Sequence, residues 1–388
     1  MSCLLKKVNL LVLTTIITLP VISAKASEAI PEEFEAALTH YRCSLPVIDL
    51  GSGDPIESIS AFLLGMRAPN CPVENLEGLM GKLRCQYQSD QPMKMLLLGF
   101  PFKSTNRDLK CISAEVDLGE YLGLMTLQHL ADQIGEIYKP GVHVTIVSDG
   151  LGYKTAIDES DDNIERYHTG ITKLLAQFSS ISFIGWKINE TIQSIDQLRA
   201  QVSQVKVARS QEAQETMQDM KLFVAKEFKS AYWEAHFRAL ATEATLAECR
   251  AFEHPAPNAK APKPGYLETR KTECINRELN RLRREKTLET TAALSDCSIK
   301  FGFFVSQNFP DYPTYLRLSV HPHKDVSQKL GIQLVQGQSG TPWHNAVVQD
   351  NGKFRYLDEK SKGKDQMIEL TKVRTIMLNG LELKYLTK

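Results

Sequence analysis

MKMLLLGFPFKSTN, residues 93–106, decides the fold, because a short apolar run passes directly into a polar turn. We interpret Met93 to Gly99 as a buried strand. Apolar residues then recur at helical spacing, at Leu127, Leu130, Ile134 and Ile137. Pro140 and Gly141 end that helix, and the β-branched run from 142 to 147 predicts a second strand.

The same alternation continues along the chain. A second amphipathic helix carries Ile164, Tyr167, Ile171, Leu174, Leu175 and Phe178 on one side, and residues 181–188 follow as a third strand. Alternating strands and helices indicate parallel β-α-β units. The predicted fold class is therefore α/β, with a Rossmann-like, mostly parallel sheet and flanking helices.

A long helical insertion is predicted at about residues 190–295. Residues 190–253 contain no glycine or proline, and HPAPNAKAPKPG, residues 254–265, interrupts the insertion as an exposed loop. The helix predicted at 268–294 interleaves arginines with glutamates. Mixed charges of this kind favour a solvated, ion-paired face over a nucleic-acid stripe.

Short strands are predicted in the C-terminal third, on the same sheet or on a small second one. They are FGFFVSQNF (301–309), YLRLSVHPH (315–323), KLGIQLV (329–335), NAVVQD (345–350) and KFRYLD (353–358). In the second of these, Arg317, Ser319, His321 and His323 alternate onto one face. That face either lies at an exposed sheet edge or lines a ligand crevice.

The first 26 residues have the pattern of a cleavable signal peptide. Two lysines precede an apolar run from Leu10 to Ile22, and Ala24-Lys25-Ala26 follows it. The run is shorter than the ~20 residues that a bilayer requires, so a transmembrane anchor is less favoured. We expect residues 27–388 to form one α/β catalytic domain that is exported, periplasmic or secreted, without a stable membrane anchor, or cytoplasmic if the leader is not used.

Composition sets further bounds. Without residues 1–26 the chain has 43 basic against 46 acidic residues, so nothing suggests a nucleic-acid partner. A hydrophobic fraction of 43% suffices for a large core. Seven cysteines remain and none forms a C-x-x-C pair, which leaves one or two disulfides possible with open connectivity.

Polar residues follow the first two predicted strands, where an open α/β sheet binds its ligands. Lys103, Ser104 and Asn106 form either an anion site or a plain surface turn. Asp149-Gly150 is a frequent turn pair. Asp117 and Glu120 have the spacing of a capping box at a helix start, although a glutamate there can also serve as a catalytic carboxylate.

Histidines supply the main alternative chemistry. If the 315–323 strand lines a crevice, Arg317 suits a phosphate or carboxylate clamp and His321 a general acid or base. His321, His323 and His344 could instead bind a catalytic metal, as in an exported metal-dependent hydrolase. Trp343 provides an aromatic wall beside His344.

Five segments together resemble a known family: GFPFKSTN (99–106), VDLGEYLGL (116–124), VSDG (147–150), RLSVHPHK (317–324) and TPWHNAVV (341–348). Their order resembles that of the pyoverdine/dityrosine biosynthesis proteins, the isocyanide synthases, over roughly residues 90–180 and 300–355. The resemblance implies conversion of the amino group of L-tyrosine or L-tryptophan to an isonitrile, with ribulose 5-phosphate as carbon donor and no metal or organic cofactor.

The resemblance also suggests roles for individual residues. Lys103, Arg317 and Lys329 would bind anions, with Ser104, Asn106 and Ser319 as further substrate contacts and Trp343 against the substrate ring. The acid/base candidates are Glu120, Asp149, His321 and His344. Four features depart from the family: the export signal, since ribulose 5-phosphate is intracellular, the continuation LGYKTA after VSDG, the proline-rich loop at 254–265, and the seven cysteines. A non-catalytic exported binding protein on the same fold is a further alternative.

Overall fold

The computed structural model describes residues 30–51, 53–67, 76–105, 107, 110–148, 150, 159–185, 221, 224–225, 228, 231–253, 265–309, 311–320, 329–338, 340–357, 372–378 and 380–387. The predicted leader and nearly all of the proline-rich loop lie outside these residues. Export therefore stays a prediction. No helix within the described ranges is long and apolar enough to cross a membrane.

The central element is a five-stranded parallel sheet in the order β3-β2-β1-β4-β5. Its strands are β1 (Met93–Leu98), β2 (Val142–Ser148), β3 (Ile181–Gly185), β4 (Leu316–Ser319) and β5 (Leu330–Gly331). The first three and the helices between them, α4 (Leu118–Ile137) and α5 (Asp161–Leu175), confirm the predicted β-α-β units. Strand β4 lies between β1 and β5, so it is not the exposed edge strand considered above.

Three helices precede this sheet: α1 (Glu32–Ser44), α2 (Pro55–Gly65) and α3 (Leu76–Tyr87). They join α4 and α5 in one continuous core against the face of the sheet that carries Met95, Leu97, Val144 and Ile146. The opposite face presents Leu96 and Val147 to Val305. Both faces are therefore covered, as is usual for a parallel sheet.

The predicted insertion contains two long helices, α6 (Ala231–Glu253) and α7 (Tyr266–Asn308). The ion-paired face predicted for α7 is confirmed, since Arg281 contacts both Glu278 and Glu285. The strand predicted at FGFFVSQNF is wrong, because α7 continues through residue 308. Aromatic and β-branched residues favour a strand locally, but extending an existing helix costs less than starting a new element.

A second sheet of four strands has the order β7-β6-β9-β8. Its strands are β6 (Val347–Asp350), β7 (Lys353–Tyr356), β8 (Lys372–Leu378) and β9 (Leu381–Thr387). The first two confirm predicted strands, whereas the hairpin of β8 and β9 was not predicted. Phe34 of α1 joins this sheet to the main core, with ring centroids 5.3 Å from Phe354 and 5.2 Å from Tyr385.

Candidate functional site

The carboxyl edge of the parallel sheet collects most of the sequence motifs. The strand order changes direction between β1 and β4, and ligands of open α/β sheets bind beyond the carboxyl ends at such a point. The segment after β1 begins at Gly99, the VSDG segment begins with the last two residues of β2, and Ser319 ends β4. The edge is therefore the candidate active site.

A buried ionic cluster lies directly behind this edge. The Lys103 ammonium is fully buried, with the Asp117 and Glu120 carboxylates each 2.8 Å away and the Pro342 carbonyl oxygen at 2.9 Å. Lys103 is thus a fully buried ion-pair residue and not a surface anion site, which corrects the predicted role.

Asp117 and Glu120 also form the predicted capping box at the start of α4. The Asp117 side chain accepts from the Gly119 amide at 2.8 Å, and Glu120 accepts from the Asp117 amide at 2.9 Å. The Tyr167 hydroxyl donates to the other Glu120 oxygen at 3.1 Å. The capping-box interpretation is therefore confirmed, whereas a catalytic role of Glu120 stays a prediction, and full burial separates its carboxylate from solvent.

Burial dominates the electrostatics of the cluster. It raises the pKa of Glu120 from 4.5 to about 7, against the opposing effect of Lys103 and with a further rise from Asp117. Burial opposes the charge on Lys103, but Asp117 and Glu120 outweigh it and raise the lysine pKa. Burial likewise raises the pKa of the neighbouring Cys111 thiol to about 12, so this cysteine is a neutral thiol.

The raised pKa of Glu120 predicts a pH-dependent stability. Between pH 4.5 and about 7 the folded chain retains the Glu120 proton that the unfolded chain releases. The free energy of unfolding therefore falls as the pH rises through this window. Glu120→Gln, which stays neutral, should remove that loss in urea titrations across the window. Glu136→Gln, at an exposed position on the same helix, is the control. An equal pH slope in wild type and Glu120→Gln would contradict the prediction.

The TPWHN turn is bound to the segment after β1. The Ser104 amide donates to the Trp343 carbonyl at 2.8 Å, and the Cys111 thiol lies 3.4 Å from the same oxygen. The Trp343 indole is 3% exposed and packs on the Phe100 ring at a centroid distance of 4.8 Å. Trp343 is therefore a core residue, which corrects its predicted place against a substrate ring.

A second hydrogen-bonded group joins three elements at the edge itself. The His168 Nε2 atom on α5 lies 2.9 Å from the Ser148 hydroxyl at the end of β2. It lies 3.0 Å from the Pro101 carbonyl oxygen in the segment after β1. Burial lowers the pKa of His168 below 6.5, although the bond to Pro101 opposes this shift. The imidazole is therefore neutral at pH 7.

Arg317 and Lys329 are neighbours across β4 and β5, and their role as an anion clamp stays a prediction. Leu318 of β4 pairs with Leu330 of β5, so Arg317 and Lys329 are the residues that precede this pair on the two strands. Arg317 is half-buried, with its guanidinium carbon 5.7 Å from the centre of the Tyr312 ring. Ser319 is buried at the carboxyl end of the same strand.

The remaining predicted site residues divide into two groups. His344 is half-buried in the turn before β6, and its Nδ1 atom lies 3.1 Å from the Thr341 hydroxyl. Four other candidates lie outside the described residues: Asn106, Asp149, His321 and His323. Within the described ranges no three His, Cys, Asp or Glu side chains are grouped as metal ligands. Both the catalytic and the metal-binding readings of the histidines stay predictions.

Sequence reasoning missed the contributions of α5. Tyr167 was counted only as an apolar position, yet its hydroxyl reaches Glu120, and His168 was not considered. The sequence did contain a signal for this: His168 directly follows Tyr167, a core position in a helix that was predicted to cover the sheet. Cys111 was treated as a possible disulfide partner, but Cys43, Cys85, Cys111 and Cys274 are free thiols.

An open groove of about 780 Å³ lies elsewhere, between α5 and the start of β9. Asp162, Arg166 and Lys173 line it from α5, and Glu382 lines it from β9. These helix positions face away from Tyr167 and the core. The groove has mixed charges and none of the predicted residues, so we do not assign it to the site.

Comparison with known proteins identifies relatives over most of the chain. A profile of the pyoverdine/dityrosine biosynthesis protein family matches residues 83–370. An L-tryptophan isonitrile synthase from Fischerella ambigua is 26% identical over 283 residues, which cover 72% of this chain and 77% of the relative. An L-tyrosine isonitrile synthase from Xenorhabdus nematophila is 24% identical over 276 residues, covering 70% and 73%.

Among solved structures, the crystal structure of the PvcA protein from Pseudomonas aeruginosa is similar at a TM-score of 0.48 and 18% identity. The similarity covers 86% of this chain and 100% of that protein.

Proposed function

Because the chain belongs to the pyoverdine/dityrosine biosynthesis protein family, we propose that it is an isonitrile synthase acting on an aromatic L-amino acid, tyrosine or tryptophan. The observation that carries the proposal is the extent of the family match. The match includes all five strands of the parallel sheet, the segment after β1, and the TPWHN turn that is bound to this segment. The names of the relatives, tryptophan and tyrosine isonitrile synthases, support the substrate class.

We further propose ribulose 5-phosphate as the carbon donor. In this reaction the substrate amine adds to the ketone carbon, water is lost to give an imine, and carbon–carbon cleavage removes the remaining sugar carbons. The site must hold a phosphate and a carboxylate and must transfer protons. Arg317 and Lys329 support the proposal because the register of β4 and β5 makes these two cationic residues neighbours, each two positions before the carboxyl end of the sheet.

The reaction is tested with the protein, L-tyrosine or L-tryptophan, and ribulose 5-phosphate labelled at its ketone carbon. Mass spectrometry after tetrazine trapping should detect an isonitrile that carries the label. An isonitrile without label would retain the enzyme class and reject the donor. Absence of any adduct with both amino acids would reject the proposed function.

Arg317→Ala is expected to raise the KM for ribulose 5-phosphate by about 10- to 100-fold, because hydrogen bonds to charged groups contribute about 1.5–3 kcal/mol. Arg317→Lys should recover only part of this loss, since lysine keeps the charge without the bidentate geometry. Arg374→Ala, at an exposed position on β8, is the control. Unchanged kinetics in folded Arg317→Ala would remove this residue from the site.

A further inference from the structure

His168 of α5 lies where the segment after β1 meets the end of β2. Its Nε2 atom is within 3.0 Å of two oxygens, the Pro101 carbonyl and the Ser148 hydroxyl. A carbonyl oxygen can only accept a hydrogen bond. Nε2 must therefore carry the proton, and in the neutral ring Nδ1 is the unprotonated nitrogen.

This tautomer determines the orientation of the Ser148 hydroxyl. The serine oxygen accepts from His168 Nε2–H at 2.9 Å and from the Gly150 amide at 3.3 Å. Because both lone pairs are then used, the hydroxyl proton points away from the histidine. Ser148 is fully buried, so this arrangement fixes the end of β2 from within.

Two glycines show that the three elements are in close contact here. A Cβ atom on Gly150 would lie 2.3 Å from the Pro101 carbonyl oxygen and 3.2 Å from His168 Nε2. A Cβ atom on Gly185, at the end of β3, would lie 3.1 Å from His168 Nδ1. The 2.3 Å distance leaves no space for a side chain at Gly150, so close packing against the Pro101 carbonyl, beside His168, explains the glycine of the VSDG segment.

We propose that His168 is a positioning residue for the reaction at the carboxyl edge. Its Nε2–H group holds the Pro101 carbonyl and the Ser148 hydroxyl together, and so sets the placement of the segment after β1 relative to the end of β2. This inference rests on the proposed function for its catalytic consequence. The role requires a hydrogen-bond donor at the Nε2 position and does not require proton transfer by the imidazole.

The matched variants are His168→Gln, whose amide nitrogen can occupy the Nε2 position, and His168→Leu, which has no donor. Displacement of reacting groups by about 1 Å costs on the order of 100-fold in rate, so His168→Leu should lower kcat by about that factor with little change in KM. His168→Gln should stay within about tenfold of wild type, since a donor retains the geometry.

His143→Leu is the control, because His143 makes a similar bond of 2.9 Å to the Ser182 hydroxyl. His143 is exposed near the amino end of β2, away from the candidate site. Its loss should leave kcat unchanged. Circular dichroism and thermal unfolding of each variant establish that it is folded before kinetics are compared.

Nitrogen chemical shifts of the histidine side chains provide a readout that is independent of activity. The His168 signals are assigned by their absence from the spectrum of His168→Gln. At pH 7 they should show a protonated Nε2 and an unprotonated Nδ1. The opposite tautomer would overturn the proposal, as would folded His168→Gln that is as slow as His168→Leu. Wild-type protein that forms no isonitrile would instead reject the proposed function. The nitrogen chemical shifts would still test the proposed hydrogen bonds of His168 in that case.

Discussion

Lys103→Met is expected to lower the free energy of unfolding by about 3–5 kcal/mol, because it leaves the buried carboxyl groups of Asp117 and Glu120 without the cation that stabilises their negative charge. Methionine fills much of the space of the lysine stem, so the loss of charge dominates over the loss of volume. Asp117 and Glu120 are 1% and 0% exposed, and solvent cannot replace the ammonium group. Urea denaturation at pH 7 measures the change.

Two further variants separate the ionic effect from a general effect of lysine removal. Lys139→Met, at an exposed position just after α4, should change the free energy of unfolding by less than about 0.5 kcal/mol. Adding Glu120→Gln to Lys103→Met removes one of the unpaired carboxylates and should recover part of the stability. A loss below about 1 kcal/mol in Lys103→Met would show that the cluster does not depend on its cation.

Local patterns in the sequence predicted the central fold. Apolar spacing identified α4 and α5, and apolar runs identified β1, β2 and β3, because each signal is contained within a few consecutive residues. The capping box was also predicted, since Asp117 and Glu120 are three positions apart. The same local reasoning failed at residues 301–309, where the preceding helix decides the conformation.

The partners of the site residues could not be predicted in this way. Lys103 meets the Pro342 carbonyl from 239 positions away, and His168 meets Pro101 from 67 positions away. A lysine in a Ser- and Asn-containing turn is equally consistent with a surface anion site and with a buried ion pair. Only the tertiary arrangement distinguishes them, because burial is a property of the folded chain.

Trp343 was likewise predicted to contact the substrate, but it is a buried core residue. Its replacement should also lower the free energy of unfolding strongly. Trp343→Ala should lower the free energy of unfolding by about 3–5 kcal/mol, as for other large aromatic residues removed from a core. The indole is 3% exposed, contacts the Phe100 ring, and lies so close to Gly99 that a Cβ atom there would be 2.6 Å from its Cη2 atom. Urea denaturation at pH 7 measures the change.

Trp343→Phe and Tyr266→Ala complete this test. Phenylalanine keeps one ring against Phe100 and should recover much of the stability, whereas Tyr266 is 51% exposed on α7 and its loss should have little effect. A substrate-facing tryptophan would give a different result: Trp343→Ala would remain stable while its KM for the aromatic amino acid rose. That outcome would restore the predicted substrate contact, and it would require the TPWHN turn to open, because the indole in its present position is enclosed by the segment after β1.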